Sequence, residues 1–522
     1  MLNRVELELT QLLERTLKVP NIGLEDDLLS CGLNSFTATR LAISVREKFG
    51  VEFSLLDIFK SRTGADIAIQ IRQAEIAHPD SINYQSQYSS EVGPTGYYPI
   101  SHQQLDIYFA QVADDETMAY NVPVRVELPI DIDLDRLEWA FRGVIGRHEA
   151  LRTAFITING QPKQRVLDEV EFRLTTNSGD TPMRPFDLSR PPLLRAHIVA
   201  SGLAYILVVE VHHIAVDGVS LTVLFDELNS LYLGSELPPV ATQYKDYLRR
   251  VGSSVWRAKT REQTGFWAGE FTDGLPQLVL PTDPVDSTID SRTFACETHL
   301  LNPDLTRGLR NYARDRNATL YQVLLATHSA FLAEITGQLD FVVGIPVAGR
   351  SAPGLDNIVG MFVNTVPMRF RLSAEKTFDD IVSDTIRRMT SAIAYQDCAL
   401  GELANILGLR HTIDAQPLIR TIFSMQHQQL HEMTFLGCPV ELDTANIEHA
   451  MFDLDLQIYE CSDTLTFHWG YRAKLFRAET VAAFHEIFTK TAIRALAGNH
   501  IAQRSNVATA GQARQPHIEL NF

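Results

Sequence analysis

Apolar residues recur at three- and four-residue spacing from the start of the chain. Val5, Leu9, Leu12, Leu13 and Leu17 share one helical face before Pro20 and Gly23 break the period. After DDLLSCGLNSF the spacing resumes with Ala38, Leu41, Ala42, Val45 and Phe49, and Gly50 closes it as a C′ glycine. Ser35 therefore stands at the N-terminus of this second helix. Residues 1–76 read as a small helical unit, followed over 77–96 by a linker whose SINYQSQYSS stretch carries no apolar period.

From Tyr97 onward the pattern alternates between helical and strand periods. HQQLDIYFAQV reads as a helix, NVPVRVEL as a strand and Leu134 to Arg147 as a helix; a β-branched run from Ile206 to Val211 then reads as a strand. The segment Ser220 to Tyr232 is again helical, with Ser220 expected as its N-cap. A second set follows, with a helix over Leu320 to Ile335 and strands at 341–347 and around Thr421 to Met425. This is an α/β pattern in two similar halves, expected at 97–265 and 266–498. Residues 499–522 read as a flexible, polar tail that could serve as a docking element.

Composition narrows the class. A chain of 522 residues with 45% hydrophobic content exceeds one compact core. A formal net charge of −18, with no basic run interleaved with aromatics, argues against a nucleic-acid partner. No stretch of 18 apolar residues suggests a membrane span, and MLNRVELELT is charged where a signal peptide would be apolar, so a cytoplasmic protein is expected. The five cysteines are scattered without CxxC spacing, which fits reduced thiols better than disulfides or a zinc site.

Candidate chemistry sits at the end of the Ile206–Val211 run, where His212, His213, Asp217 and Gly218 form an HHxxxDG string. A histidine titrates near neutral pH, and a carboxylate four residues on can hold the turn and the ring. Successive strand residues face opposite sides, so one histidine of the pair faces a given cleft, and His213 is the candidate. On the motif alone, a structural histidine pair and a metal site stand beside the general base. Metal is disfavoured, because no HExxH or Cys/His cluster supplies further ligands.

Ser35 in GLNSF has two readings. It can be an N-cap, or it can be a hydroxyl exposed where free N–H groups and the helix dipole stabilise a phosphodiester. The stretch LEDDLLSCGLNSFTATRLAISVREKFGVEFSLLDIF resembles the phosphopantetheine-binding carrier domains of nonribosomal peptide and polyketide synthases. That resemblance implies an all-α four-helix bundle over 1–76 with 4'-phosphopantetheine covalently on Ser35. Gly32, Leu33 and Asn34 lie nearer the Gly-Leu-Asp-Ser type of polyketide and aryl carriers than the Gly-Gly-His-Ser type of peptidyl carriers.

RHEALRTAF, PFDLSRPPLLRA, HHIAVDG, YKDYL, GIPVAGR, VGMFVNTVPMR and YQDCAL occur in order between 147 and 400. Together they resemble the condensation domains of nonribosomal peptide synthetases across roughly residues 97–498. The resemblance implies two lobes similar to chloramphenicol acetyltransferase, with a tunnel between them. In that tunnel a donor acyl thioester on one carrier meets an acceptor amine on another, giving an amide. It implies His213 as the central histidine and Gly218 as a turn whose amide approaches the reacting centre. It also implies Asp217 as a structural partner of Arg350, and His212 as a packing residue. Arg147, His148 and Arg152 are expected either to support the lobe and line the donor side or to be a plain helix-terminal cluster.

Such a protein needs a phosphopantetheinyl transferase, an adenylation or other loading enzyme in trans, and a downstream acceptor carrier or free acceptor. It belongs to antibiotic or secondary-metabolite biosynthesis. The alternatives are ester formation with a hydroxyl acceptor, an epimerisation domain, a non-catalytic recruiting domain of the same fold, and a free coenzyme A-dependent acyltransferase. Val219 and Ser220 suit epimerisation, whereas Asn364 and Thr365 suit condensation. Val219 stands where the family usually has tryptophan and Tyr395 where it usually has histidine, so an unusual acceptor side is expected.

Overall fold

The computed structural model describes residues 4–77 and 96–498 with gaps. Outside the description are 18, 20, 29–30, 32, 34–40, 42–43, 46–47, 50, 52, 54–57, 59–60 and 62, then 159–160, 178–182, 203, 252, 285–288, 291–292, 353, 410–417, 427–432, 443–449 and 461–463. Ser35, most of the helix expected over 38–49, the linker and the tail 499–522 therefore lie outside the described residues.

In the first unit the helices Arg4–Leu17 and Gly64–Ala77 pack together. Leu9 and Leu13 meet Ile67 and Ile71 in a small core that also holds Leu41 and Val45. The apolar stripe of the first helix is the face it buries, since Leu9, Leu12, Leu13 and Leu17 are all inside. Arg72 pairs with Glu6 across the two helices at 2.9 Å.

The first lobe is built on six strands in the order β12 (Thr434–Phe435), β13 (Cys438–Leu442), β2 (Asn121–Pro129), β7 (Ala204–His212), β6 (Leu194–Ser201) and β5 (Thr175–Asn177). Helices Leu134–Arg147 and Gly218–Tyr232 cover this sheet through Leu137, Phe141 and Val144 on one and Leu221, Leu224 and Leu228 on the other. A small antiparallel sheet of β1 (Tyr97–Tyr98), β4 (Gln161–Val166) and β3 (Thr153–Ile158) lies beside them.

The second lobe carries six strands in the order β10 (Asn364–Arg371), β9 (Asp340–Val347), β11 (Thr421–Gln426), β14 (Leu454–Glu460), β15 (Leu465–Arg472) and β8 (Phe294–Leu300). Its central helix, Leu320–Thr336, is apolar on nearly all sides and is correspondingly buried from Gln322 to Ala333. Thr319 and Gln322 form a capping box at its start, and Gly337 ends it with φ 69°, a left-handed turn that glycine adopts at no steric cost.

Two stretches of the second half cross to the first lobe. Strand β13 pairs antiparallel with β2, setting Val440 opposite Val126 and Leu442 opposite Val124. Leu355, Ile358, Val359, Met361 and Phe362 join the first lobe's core. Each crossing buries apolar side chains in the opposite lobe, which ties the two together by hydrophobic burial.

Candidate functional site

Strand β7 ends at His212, and the chain turns immediately after it. The ring of His212 stays inside, with Nε2 and Gln111 Oε1 3.2 Å apart, Nδ1 accepting from the Ile214 amide, and Phe186 edge-on. Burial, followed by the neighbouring charges of His213 and Arg195, pushes its pKa down to about 3. His212 is therefore neutral at any ordinary pH. Its environment is that of a packing residue.

His213 leaves the strand on the other side. Its amide donates to the Tyr120 carbonyl at 2.8 Å, and its ring lines a cavity of about 1400 Å³ between the lobes. Nδ1 lies 2.8 Å from the Val216 carbonyl oxygen. A carbonyl can only accept, so Nδ1 carries the proton and the neutral ring keeps its lone pair on Nε2. The turn thus sets the tautomer.

Asp217 follows as the N-cap of helix Gly218–Tyr232, where its Oδ1 accepts from the Ser220 amide at 2.8 Å. The cap expected at Ser220 is thus corrected to Asp217. The helix begins two residues earlier because a carboxylate three positions before Ser220 reaches its N–H first. Ser220 is instead a hub: its hydroxyl lies 2.7 Å from Asp217 Oδ1 and 2.9 Å from the Gly360 carbonyl, and accepts from the Gly360 amide at 3.0 Å. Gly218 is the first residue of the helix and lines the cavity. Its amide belongs to the N-terminal set that a helix leaves without internal partners.

Arg350 closes the arrangement from the second half of the chain. Its Nη2 donates to Asp217 Oδ1 at 2.8 Å, and its Nη1 donates to the carbonyls of Leu355 and Ile358. The guanidinium lies over the Phe362 ring, 4.1 Å from its centroid. Asp217 Oδ2 in turn accepts from the Phe362 amide at 3.2 Å. The carboxylate, arginine and serine therefore hold the crossing stretch 349–362 against the histidine turn.

Residues with no motif of their own complete the frame. Gln104 donates to the Ile214 carbonyl, and Tyr244 donates to the Met361 carbonyl at 2.6 Å. Tyr244 also packs against Gly360, where an added Cβ would lie 2.1 Å from its ring. Of these, only Tyr244 stands in a string singled out from sequence. Gln103 carries no sequence signal, because its partner is the distant Phe362 carbonyl, and Gln104 offers only the Ser-x-x-Gln capping box it forms with Ser101, which does not announce Ile214.

Other candidates lie elsewhere. Arg147 and His148 both hold Glu227, at 2.8 Å each, and neither they nor Arg152 line the cavity. Burial alone would raise the Glu227 carboxyl, but hydrogen bonds from His148 and Arg147 hold it down at about 2. Val219 does line the cavity, whereas Tyr395 stacks on Phe266 with ring centroids 3.8 Å apart and leaves the lining to Gln396. Among the described residues no group of three or more His, Cys, Asp or Glu could hold a metal.

Leu33, two positions before Ser35, is part of the cavity wall. Ser35 itself is outside the described residues.

Residues 8–71 match the family described as phosphopantetheine attachment site, and residues 95–516 match the family described as condensation domain. A plipastatin synthase polypeptide of Bacillus subtilis (strain 168) is 35% identical over 500 residues, covering 93% of this chain and 13% of that protein. Gramicidin S synthase 2 of Brevibacillus brevis is 31% identical over 536 residues, 99% of this chain and 12% of the relative. The chain therefore spans a small part of these relatives.

Among solved structures, the condensation domain of the monacolin K polyketide synthase superposes with a TM-score of 0.68 at 20% identity, covering 78% of this chain and 99% of that one. A four-domain nonribosomal peptide synthetase superposes with a TM-score of 0.70 at 18% identity, covering 81% and 34%. Both carry the fold of the two lobes.

Proposed function

This chain belongs to the condensation-domain family and carries a phosphopantetheine attachment domain ahead of it, and on that premise we propose that it transfers an acyl or peptidyl group from a thioester to an amine, forming an amide. The observation that carries the proposal is the ring of His213, which lines the cavity between the lobes with Nδ1 engaged by the Val216 carbonyl. Nε2 is then a base at the one nitrogen that hydrogen bonding leaves available.

When bound on Ser35, 4'-phosphopantetheine supplies the thiol that carries the acyl group as a thioester. His213 Nε2 accepts a proton from the acceptor amine as the amine nitrogen bonds to the acyl carbon. It holds that proton and returns it to the sulfur as the carbon–sulfur bond breaks. The Gly218 amide, at a helix N-terminus in the cavity wall, is the donor for the carbonyl oxygen as it gains negative charge. Asp217 and Arg350 act on the frame and not on the substrate.

The partners this requires are a phosphopantetheinyl transferase, a loading enzyme acting in trans and an acceptor on a second carrier or free in solution. We read the protein as cytoplasmic; the four described cysteines, none of them in a disulfide, accord with that compartment.

The test is to load Ser35 with a panel of acyl-pantetheines, offer amine and alcohol acceptors, and identify products by mass. Amide formation lost in His213→Ala supports the proposal. Undiminished transfer in His213→Ala, ester as the sole product, or failure of a phosphopantetheinyl transferase to modify Ser35 would each overturn the corresponding part.

A further inference from the structure

The cavity has a second chemically distinctive wall, formed by the sheet of the other lobe. Strand β14 alternates strictly: Leu454, Leu456 and Ile458 enter the core, while Asp455, Gln457 and Tyr459 line the cavity. The neighbouring strands continue this polar face with Ser424 on β11 and His468 on β15, each opposite Gln457.

Asp455 is the residue on this face that lacks compensation. No basic side chain is paired with it among the described residues. Burial pushes its pKa up to about 6, against hydrogen bonds from the Gly470 backbone and the Gln457 side chain that favour the carboxylate. The thiol of Cys296, opposite Gly470 on β8, is pushed up to about 12, first by burial and then by the charge of Asp455. A carboxylate kept in a cavity wall without a counter-ion costs free energy unless a ligand supplies one.

The local geometry gives this carboxylate a shaped niche. Gly470 faces Asp455 across the β14–β15 pair. A Cβ at position 470 would lie 2.5 Å from Asp455 Oδ2 and 2.7 Å from Phe294 Cε2. The absent side chain is therefore what lets an acid and an aromatic edge converge on one point of the cavity wall. A carboxylate binds an alkylammonium group by charge-assisted hydrogen bonding, and an aromatic edge beside it packs against the apolar methylene stem.

We infer that Asp455, seated over Gly470 and beside Phe294 in the wall of the reaction cavity, is a specificity residue that receives the ammonium-bearing side chain of an aminoacyl thioester. The inference rests on the condensation reading and narrows its substrate class to short basic side chains. Asp455 and His213 line the same cavity from different lobes, so one substrate can meet both.

Ornithinyl-pantetheine and norvalinyl-pantetheine test this, because they share the α-amine and the three-carbon stem and differ in the terminal ammonium. Their binding to the full chain is measured by calorimetry in the His213→Ala background, alone and combined with Asp455→Asn or with Phe294→Leu. The ornithinyl compound should bind about tenfold more tightly than the norvalinyl one, as expected for one desolvated charge-assisted contact. Asp455→Asn should erase that preference while leaving norvalinyl binding unchanged, and Phe294→Leu should weaken both compounds alike and keep the preference. The melting temperature of Asp455→Asn should be unchanged or raised, since an uncompensated carboxylate is removed.

Equal binding of the two compounds, or equal weakening of both by Asp455→Asn, overturns the inference. Binding needs no turnover, so a failure of the native chain to transfer either substrate counts against the condensation reading and leaves the ornithine preference readable.

Discussion

Arg350 and Asp217 meet through Nη2 and Oδ1 at 2.8 Å with side chains 1% and 0% exposed, although 133 residues separate them in the chain. The pair is neutral overall and wrapped in further partners: Asp217 accepts from the amides of Ser220 and Phe362, and Arg350 donates to the carbonyls of Leu355 and Ile358. Of the guanidinium nitrogens Nε alone lacks a partner among the described residues, and such near-complete satisfaction is what makes a buried ion pair tolerable.

Breaking the pair from one side should therefore be worse than removing it. Asp217→Leu or Arg350→Met alone should each lose roughly 3–5 kcal/mol of stability, because either leaves a buried charge without its partner. The double variant should lose less than the sum of the two, and denaturant unfolding of all four proteins measures the coupling. Strict additivity would mean that the contact contributes nothing specific.

Ser220→Ala should separate the frame from the chemistry. The hydroxyl joins Asp217 to Gly360, and its loss leaves the buried Gly360 amide without that acceptor, a cost of about 1–3 kcal/mol. Transfer should slow through misplacement of the histidine turn, with the pH profile of the remaining activity unchanged. A shifted pH profile would mean that Ser220 takes part in the proton transfer itself.

Two glycines of the crossing stretch distinguish crowding from backbone strain. Gly349 has φ 64° and an added Cβ would lie 1.9 Å from the Phe362 carbonyl oxygen, while Gly354 has φ 75° and open space around it. Gly354→Ala should cost only the left-handed penalty of ~1–2 kcal/mol, and Gly349→Ala should cost clearly more. Equal melting temperatures for the two variants would contradict the close packing of this stretch on the first lobe.

Buried histidines set an acid limit to stability. His328 lies in the second lobe's core against Phe331 and Phe423, with neither ring nitrogen hydrogen-bonded, and burial lowers its pKa to about 3. The folded chain binds no proton there until far below the value of 6.5 at which an unfolded histidine does. As pH falls from 6.5 toward 3 the unfolded state alone gains that proton, so stability declines by about 1.4 kcal/mol per pH unit for each such group. His328→Leu should flatten the decline and raise the melting temperature more at pH 5 than at pH 7.5. An unchanged pH slope would refute the assignment.

Where the chain's own periodicity is strong, its elements are legible. The helix read over Leu134 to Arg147 has those bounds in the structure, and the helix read over Leu320 to Ile335 runs one residue further. The strand at 341–347 is extended by one residue at its start. Local signals are weaker at the histidine turn. Ser220 has the residue type of an N-cap, but Asp217 takes the role because its side chain also has a partner waiting in Arg350, which no local pattern announces.

The site divides along the same line. The HHxxxDG string, its position at a strand end and its two differently facing histidines are properties of neighbouring residues and of the two-residue period of a strand. By itself the sequence determined that a histidine with a nearby carboxylate ends a strand. Only the tertiary structure decided which atoms answer each other. Arg350 and Phe362 reach Asp217, and Gly360 reaches Ser220, because their stretch crosses between lobes, and Asp455 reaches the cavity because Gly470 opposite it has no side chain. These contacts join residues more than a hundred positions apart or on separate strands. They depend on how sheets and crossings pack, which burial over the whole chain decides and no local period records.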